Sequence, residues 1–155
     1  MNRVWCLTFL ACLALPAHAE WVRRVTDGIM GTAVCGLYDP ASRTLRWARA
    51  GHLPPVLVRD NAARELSLPE GVMLGADPDA CYEEVTTALR PGDALLLFTD
   101  GLIERRHESI DDSMDSLLRL ASRPVSSVTH YADYLLSHAP SDTGDDACLV
   151  TVRVC

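Results

Sequence analysis

Residues 95–104 read Leu-Leu-Leu-Phe-Thr-Asp-Gly-Leu-Ile-Glu, and they constrain the fold more than any other stretch. Leu95, Leu96, Leu97 and Phe98 form an apolar run that Thr99, Asp100 and Gly101 stop at once. A short apolar run bounded by turn residues predicts a buried strand. A carboxylate at the end of such a strand is partly desolvated and rigidly aimed. Gly101 lets the backbone turn tightly beside it. Two roles fit Asp100 on local grounds: a cap for the following turn, as in most Asp-Gly pairs, or a metal-binding or catalytic carboxylate.

A strand of this kind needs a core, and the chain can supply one. It has 155 residues, 48% hydrophobic and 23% charged, within the range of a single globular domain. The net charge of −7 comes with no long Lys/Arg run. Nucleic acid and anionic membrane surfaces, which need concentrated positive charge, are therefore excluded as expected partners. Of six cysteines, Cys6, Cys12, Cys35, Cys81, Cys148 and Cys155, none forms a C-x-x-C pair and none has a histidine at zinc-finger spacing. Cys35 and Cys148 lie in apolar, strand-like runs and read as small hydrophobes, with disulfide or redox roles as the alternative.

Residues 1–19 have the layout of a secretory signal: Arg3, an apolar run over 4–15, then Ala17-His18-Ala19 before Glu20. The run is short for a stable membrane span. An amphipathic or core helix, or a misassigned start, fits the same residues. Residues 20–30 read as a connecting segment without clear periodicity.

Beyond it, 31–38 predict a strand, Asp39-Pro40-Ala41-Ser42 a turn and 44–50 a returning strand, with Leu45 and Trp47 on one face and Arg46 on the other. Pro54 and Pro55 interrupt the ladder. Residues 56–58 predict a short strand, Asp60-Asn61 a turn, and Arg64-Glu65-Leu66 the start of another strand. Residues 69–80 form a long loop, and loops of this length are often functional. Residues 82–89 predict a strand. Arg90-Pro91-Gly92-Asp93 has the composition of a type II turn, so 82–89 and the 95–98 strand are expected to pair antiparallel. Ile110, Met114, Leu117, Leu118 and Leu120 fall at helical spacing, with Asp111 and Asp112 at the positive end of the helix dipole. A second helix is expected from Ser126 or Ser127 to Pro140, with Val128, Tyr131, Leu135 and Leu136 as its apolar stripe. Residues 147–154 alternate as a closing strand, with Cys148, Val150, Val152 and Val154 on one face.

Asp100 ends one strand, and Asp145 and Asp146 begin another. If the two strands are antiparallel neighbours, the three acids share one end of the sheet. Carboxylates about 4 Å apart repel by roughly 4 kcal/mol at an effective dielectric near 20. Such a cluster is relieved by solvent, a shared proton or a bound cation. An all-oxygen donor set suits Mg²⁺ or Mn²⁺. Taken alone, Asp145 and Asp146 read first as a solvated loop.

Four motifs then occur in order: Ala50-Gly51-His52-Leu53-Pro54-Pro55, Pro91-Gly92-Asp93, Leu97-Phe98-Thr99-Asp100-Gly101-Leu102-Ile103-Glu104, and Asp145-Asp146-Ala147 before a Val-rich strand. Together they resemble the C-terminal half of the metal-dependent serine/threonine protein phosphatases (the PPM family), in its bacterial SpoIIE-like branch, over residues 31–154. The resemblance implies an α+β fold. This would be part of an α/β/β/α sandwich of mostly antiparallel sheet, with two helices in its C-terminal half and a two-metal site holding Mn²⁺ or Mg²⁺. It implies metal-binding roles for Asp100 and Asp145, with Asp146 beside them, and supporting roles for Gly101 and for His52, which is read as a loop-shaping residue. It also implies hydrolysis of phosphoserine or phosphothreonine on a regulatory protein of the anti-sigma-factor-antagonist type, in the cytoplasm.

The family's earlier Gly-rich Asp motif has no counterpart among residues 1–30, and Asp27-Gly28 lies too near the first strand to replace it. The expectation is therefore a truncated, catalytically impaired phosphatase domain over 31–155. Two rivals accompany it. One is a non-catalytic binding module that keeps the fold. The other is a secreted domain with Cys35, Cys81, Cys148 and Cys155 paired.

Overall fold

The computed structural model describes residues 5–6, 30–125, 127–139, 141 and 146–155. The signal-like segment lies outside the described residues, apart from the backbone of Trp5–Cys6. The chain divides into two compact units, Met1–His52 with Leu68–Leu89, and Leu53–Ser67 with Arg90–Cys155. The fold is α+β, with two α-helices among the described residues and mostly antiparallel sheet.

The first unit holds β1 (Trp5–Cys6), β2 (Gly31–Asp39), β3 (Thr44–Ala50) and β6 (Val85–Ala88), in the order β1-β2-β3-β6. Asp39 closes the β2–β3 turn: its Oδ1 accepts from Ala41 N–H at 2.9 Å and its Oδ2 from the Ser42 hydroxyl at 2.6 Å. Period-two alternation then sorts the faces. Trp47 is buried and its indole N–H donates to Thr87 Oγ1 at 3.2 Å, whereas Arg46 points outward toward Glu84. The same alternation bears on Cys35, read as a small hydrophobe. Val34 takes the buried side of β2, so Cys35 is exposed, and Cys148 is exposed ahead of the last strand. Cys35, Cys81, Cys148 and Cys155 are thiols rather than disulfide partners.

The second unit holds β4 (Val56–Arg59), β5 (Ala62–Glu65), β7 (Ala94–Phe98) and β8 (Leu149–Arg153), in the order β5-β4-β7-β8 and antiparallel throughout. Asp60 and Asn61 form the β4–β5 turn with φ of 52° and 62°. Left-handed backbone at both central residues is what a tight hairpin demands, and Asp and Asn tolerate it best after glycine. Glu65 consequently ends β5, opposite Val56, and does not start a strand as its sequence context suggests.

A second correction concerns β6 and β7, which do not pair. The expected turn is present: Asp93 N–H donates to Arg90 C=O at 3.0 Å and Gly92 has φ of 93°. Its flanks are claimed by other partners. Leu89 N–H bonds Arg43 C=O at 2.8 Å, extending the β6–β3 ladder, while Gly92 N–H and Val154 N–H tie the turn to the end of β8.

Helices α1 (Ile110–Ala121) and α2 (Val128–His138) cover the second sheet. Ser109 caps α1, accepting from Asp112 N–H at 3.1 Å and donating to the Asp112 carboxylate at 2.7 Å, and Ser127 caps α2. Met114, Leu117 and Ala121 of α1 and Tyr131 and Leu135 of α2 bury against Val56, Val58, Leu96 and Phe98. Each fully buried aliphatic or aromatic side chain contributes about 1.5–3 kcal/mol. Leu136 is exposed because it lies off the arc of Tyr131 and Leu135, whereas Ile110 shares the arc of Met114, Leu117 and Ala121 and is exposed as the first residue of its helix. On β8, Leu149 packs on this core, and of the valines on the other face Val152 is exposed while Val154, just past the strand, is buried.

Candidate metal centre

β7 is the inner strand that delivers the Thr99-Asp100-Gly101 turn, and β8 runs beside it with Phe98 opposite Leu149. The end of β7 and the start of β8 are therefore adjacent. Thr99 locks them together. Its N–H donates to Cys148 C=O at 3.0 Å, its hydroxyl donates to Asp146 C=O at 3.2 Å, and the same oxygen accepts from Cys148 N–H at 2.9 Å. Because the hydroxyl is committed across the strands, Thr99 does not cap the 3₁₀ turn Asp100–Leu102 that follows. The backbone closes that turn instead, with Asp100 C=O accepting from Ile103 and Glu104 N–H, both at 2.8 Å.

Asp100 opens the turn with its side chain exposed, and its Oδ1 accepts from the buried Gly101 N–H at 3.0 Å. Asp146 is exposed on the adjoining segment. Asp145 lies outside the described residues. His52 belongs to the first unit, where it is buried and its carbonyl accepts from Arg49 Nη1 at 2.9 Å. Arg49 also holds Pro69 C=O, and Gly51, with φ of 63°, donates to Gly71 C=O at 2.9 Å. A Cβ on Gly71 would lie 2.1 Å from Arg49 C=O, so this crossing of strand end and loop requires glycine.

A divalent cation is the group such a turn invites. The described residues fit it in chemistry, since Asp100 and Asp146 are exposed oxygen donors stitched into one sheet end, the donor type Mg²⁺ and Mn²⁺ prefer. Among the described residues no group of three or more His, Cys, Asp or Glu stands together as a metal site, so these two carboxylates are the described part of the candidate set.

Thr99 and the Arg59–Asp93 pair escaped the sequence reading. Asp93 is 2% exposed and accepts from Arg59 Nε at 2.9 Å, Arg59 Nη2 at 2.6 Å and Arg90 N–H at 2.8 Å. The Pro-Gly-Asp spelling marked the turn, but nothing local to it points to an arginine in β4.

The lock gives a direct test. Thr99→Val keeps the shape and removes the hydroxyl, leaving Cys148 N–H and Asp146 C=O without it, and is expected to cost about 1–2 kcal/mol. Urea unfolding reports the loss, and amide exchange at Cys148 should accelerate. An unchanged midpoint with unchanged exchange would show that the hydroxyl does not hold the two strand ends.

The fold so described is that of the PP2C-type phosphatase domains. The phosphatase domain of SpoIIE from Bacillus subtilis, in a manganese-presoaked crystal, superposes with a TM-score of 0.63 at 18% identity, over 93% of this chain and 74% of that one. The SiaA-PP2C domain of Pseudomonas aeruginosa gives 0.62 at 20% identity, over 87% and 56%. The RsbU and RsbW domains of Rv1364c from Mycobacterium tuberculosis give 0.66 at 29% identity, over 76% of this chain and 35% of that one, so this chain spans about a third of that protein's length. The family model for stage II sporulation protein E (SpoIIE) matches residues 15–155. The chain belongs to the SpoIIE family.

Proposed function

We propose that this chain acts in a metal-dependent protein serine/threonine phosphatase, hydrolysing phosphoserine or phosphothreonine on a regulatory protein of the anti-sigma-factor-antagonist type. The observation that carries the reading is the Thr99 lock, which keeps Asp100 and Asp146 at one end of two adjacent strands. Membership of the SpoIIE family supports it, as do structural relatives that include a manganese-presoaked phosphatase domain.

In this reading Asp100, Asp145 and Asp146 hold Mn²⁺ or Mg²⁺. Gly101 orients the Asp100 carboxylate through its N–H, and Thr99 sets the spacing between the two acidic segments. When bound, the cation supplies Lewis acidity, which activates water and offsets charge on the phosphoryl group. Three carboxylates are few for two cations, so the proposal includes slow turnover by these 155 residues alone. It also includes a cytoplasmic setting. No helix among the described residues is long and apolar enough to cross a membrane.

The test is hydrolysis of p-nitrophenyl phosphate and of a phosphoserine peptide by the full chain. A rate that appears with Mn²⁺ and disappears with EDTA is expected. Background rates under both conditions would overturn the catalytic reading and favour a binding module that keeps the fold. The shortage of grouped ligands among the described residues is the observation on that side.

A further inference from the structure

Beside the C-terminal halves of α1 and α2, within the second unit, lies an open cleft of about 440 Å³. Arg105, Ser116, Arg119, Arg123, Tyr134 and His138 line it. Three arginines around one cleft run against a chain whose net charge is −7. Arg105 is paired with Glu108 at 2.6 Å. The other two have no carboxylate within ion-pair distance among the described residues. Arg119 donates from Nη2 to Ser116 Oγ at 2.8 Å. The Arg123 guanidinium lies 4.2 Å from the centre of the Tyr134 ring, which itself stacks on His138 at 4.3 Å. A guanidinium held by its face keeps its in-plane N–H donors available to a ligand.

The wall that carries these groups is anchored. Ser122 Oγ donates to Leu118 C=O at 2.8 Å and accepts from Ala63 N–H in β5 at 3.1 Å. The Tyr131 hydroxyl donates to Ala121 C=O at 2.6 Å, and burial pushes its pKa up to about 12, so it remains a donor across the physiological range. A cation at the end of α1 also complements the helix dipole. That effect asks for one charge and accounts for neither the second arginine nor the aromatic stack.

We propose that this cleft binds a single phosphate group, presented either as inorganic phosphate or as a phosphorylated side chain. Arginine forks match phosphate oxygens with paired N–H donors. The chain's overall negative charge opposes long polyanions and leaves a local site for one small anion. The site is made of residues other than the candidate metal ligands and does not rest on the phosphatase reading.

The experiment titrates the isotope-labelled full chain with inorganic phosphate in EDTA, which removes divalent cations that would draw phosphate elsewhere. Amide shifts at Ser116, Arg119, Arg123, Tyr134 and His138 are expected. The double variant Arg119→Gln/Arg123→Gln should weaken binding at least about tenfold with its helical circular dichroism intact. Arg119→Lys/Arg123→Lys, which keeps the charge and loses the fork, should fall between. N-acetyl-phosphoserine-amide, titrated in parallel, identifies the source: tighter binding than inorganic phosphate points to a side chain, weaker binding to the free ion. Shifts confined to other parts of the chain, absence of shifts with both probes, or affinity unchanged in the folded Gln variant would each overturn the site.

Discussion

Asp100→Asn is expected to lower manganese-dependent phosphoester hydrolysis by at least about a hundredfold, a barrier increase of about 2.7 kcal/mol. The substitution is chosen for what it preserves. The hydrogen bond that Asp100 Oδ1 accepts from Gly101 N–H can be remade by the amide oxygen of asparagine. The turn itself is closed by Asp100 C=O, which is unchanged. The missing quantity is one negative charge and the hard anionic oxygen that Mn²⁺ prefers. Since the side chain is exposed, removing its charge should leave stability nearly unaltered. Thermal unfolding within a degree or two of the parent, manganese affinity sharply reduced and turnover near background form the expected set. A variant that keeps both its manganese affinity and its rate would take Asp100 out of the metal site.

Asp93→Ala is expected to have the opposite profile, with stability falling by about 3–5 kcal/mol. Its carboxylate is buried and satisfied by Arg59 and by the Arg90 amide. Removing it takes the Asp93 carboxylate from an Arg59 side chain that is only 24% exposed. Burial alone would raise the Asp93 pKa. The hydrogen bonds from Arg59 and Arg90 N–H, with the positive charge of Arg59, outweigh burial and hold it below the ordinary carboxylate value. A carboxyl whose pKa is lower in the folded chain contributes stability that is complete above its unfolded value, about 3.9, and is lost as pH falls through the folded value. The gap between parent and Asp93→Ala in urea unfolding should therefore be widest near neutral pH and narrow below pH about 4. A gap that stays constant down to strongly acid pH would show that the ion pair is not its origin.

The two carboxylates show which parts of this molecule a sequence discloses. Asp100 was legible because its signal is local: an apolar run, a threonine, an acid and a glycine in consecutive positions. The same holds for β2 and β3 around the Asp39 turn, and for both helices, whose apolar spacing lies within a few residues. Asp93 was legible only as a turn residue, since Arg59, its partner, is 34 positions away. The pairing of β6 was misread for a related reason. Its turn chemistry was right, but a turn does not determine which ladder each flank joins, and Arg43 and Val154 decided that. Cys35 was read as a small hydrophobe, and Leu136 and Val152 were placed on apolar faces, by composition or by a period alone. Which face is covered depends on packing partners that are remote in sequence. Asp145 falls outside the described residues, and Asp100 and Asp146 are the described part of the candidate site.

The placement of β7 bears on how the molecule reaches its native state. Leu96 is matched with Val56 on one side and Thr151 on the other, so both ladders flanking the acid-bearing strand join residues tens of positions apart. Loop closure of that kind costs entropy before any contact repays it, and chains dominated by such pairings fold slowly. The bonds from Thr99 to Asp146 and Cys148, which flank the turn carrying Asp100, need β8 in place beside β7. Substitutions along β8 should consequently be felt at that turn even where they touch none of its atoms.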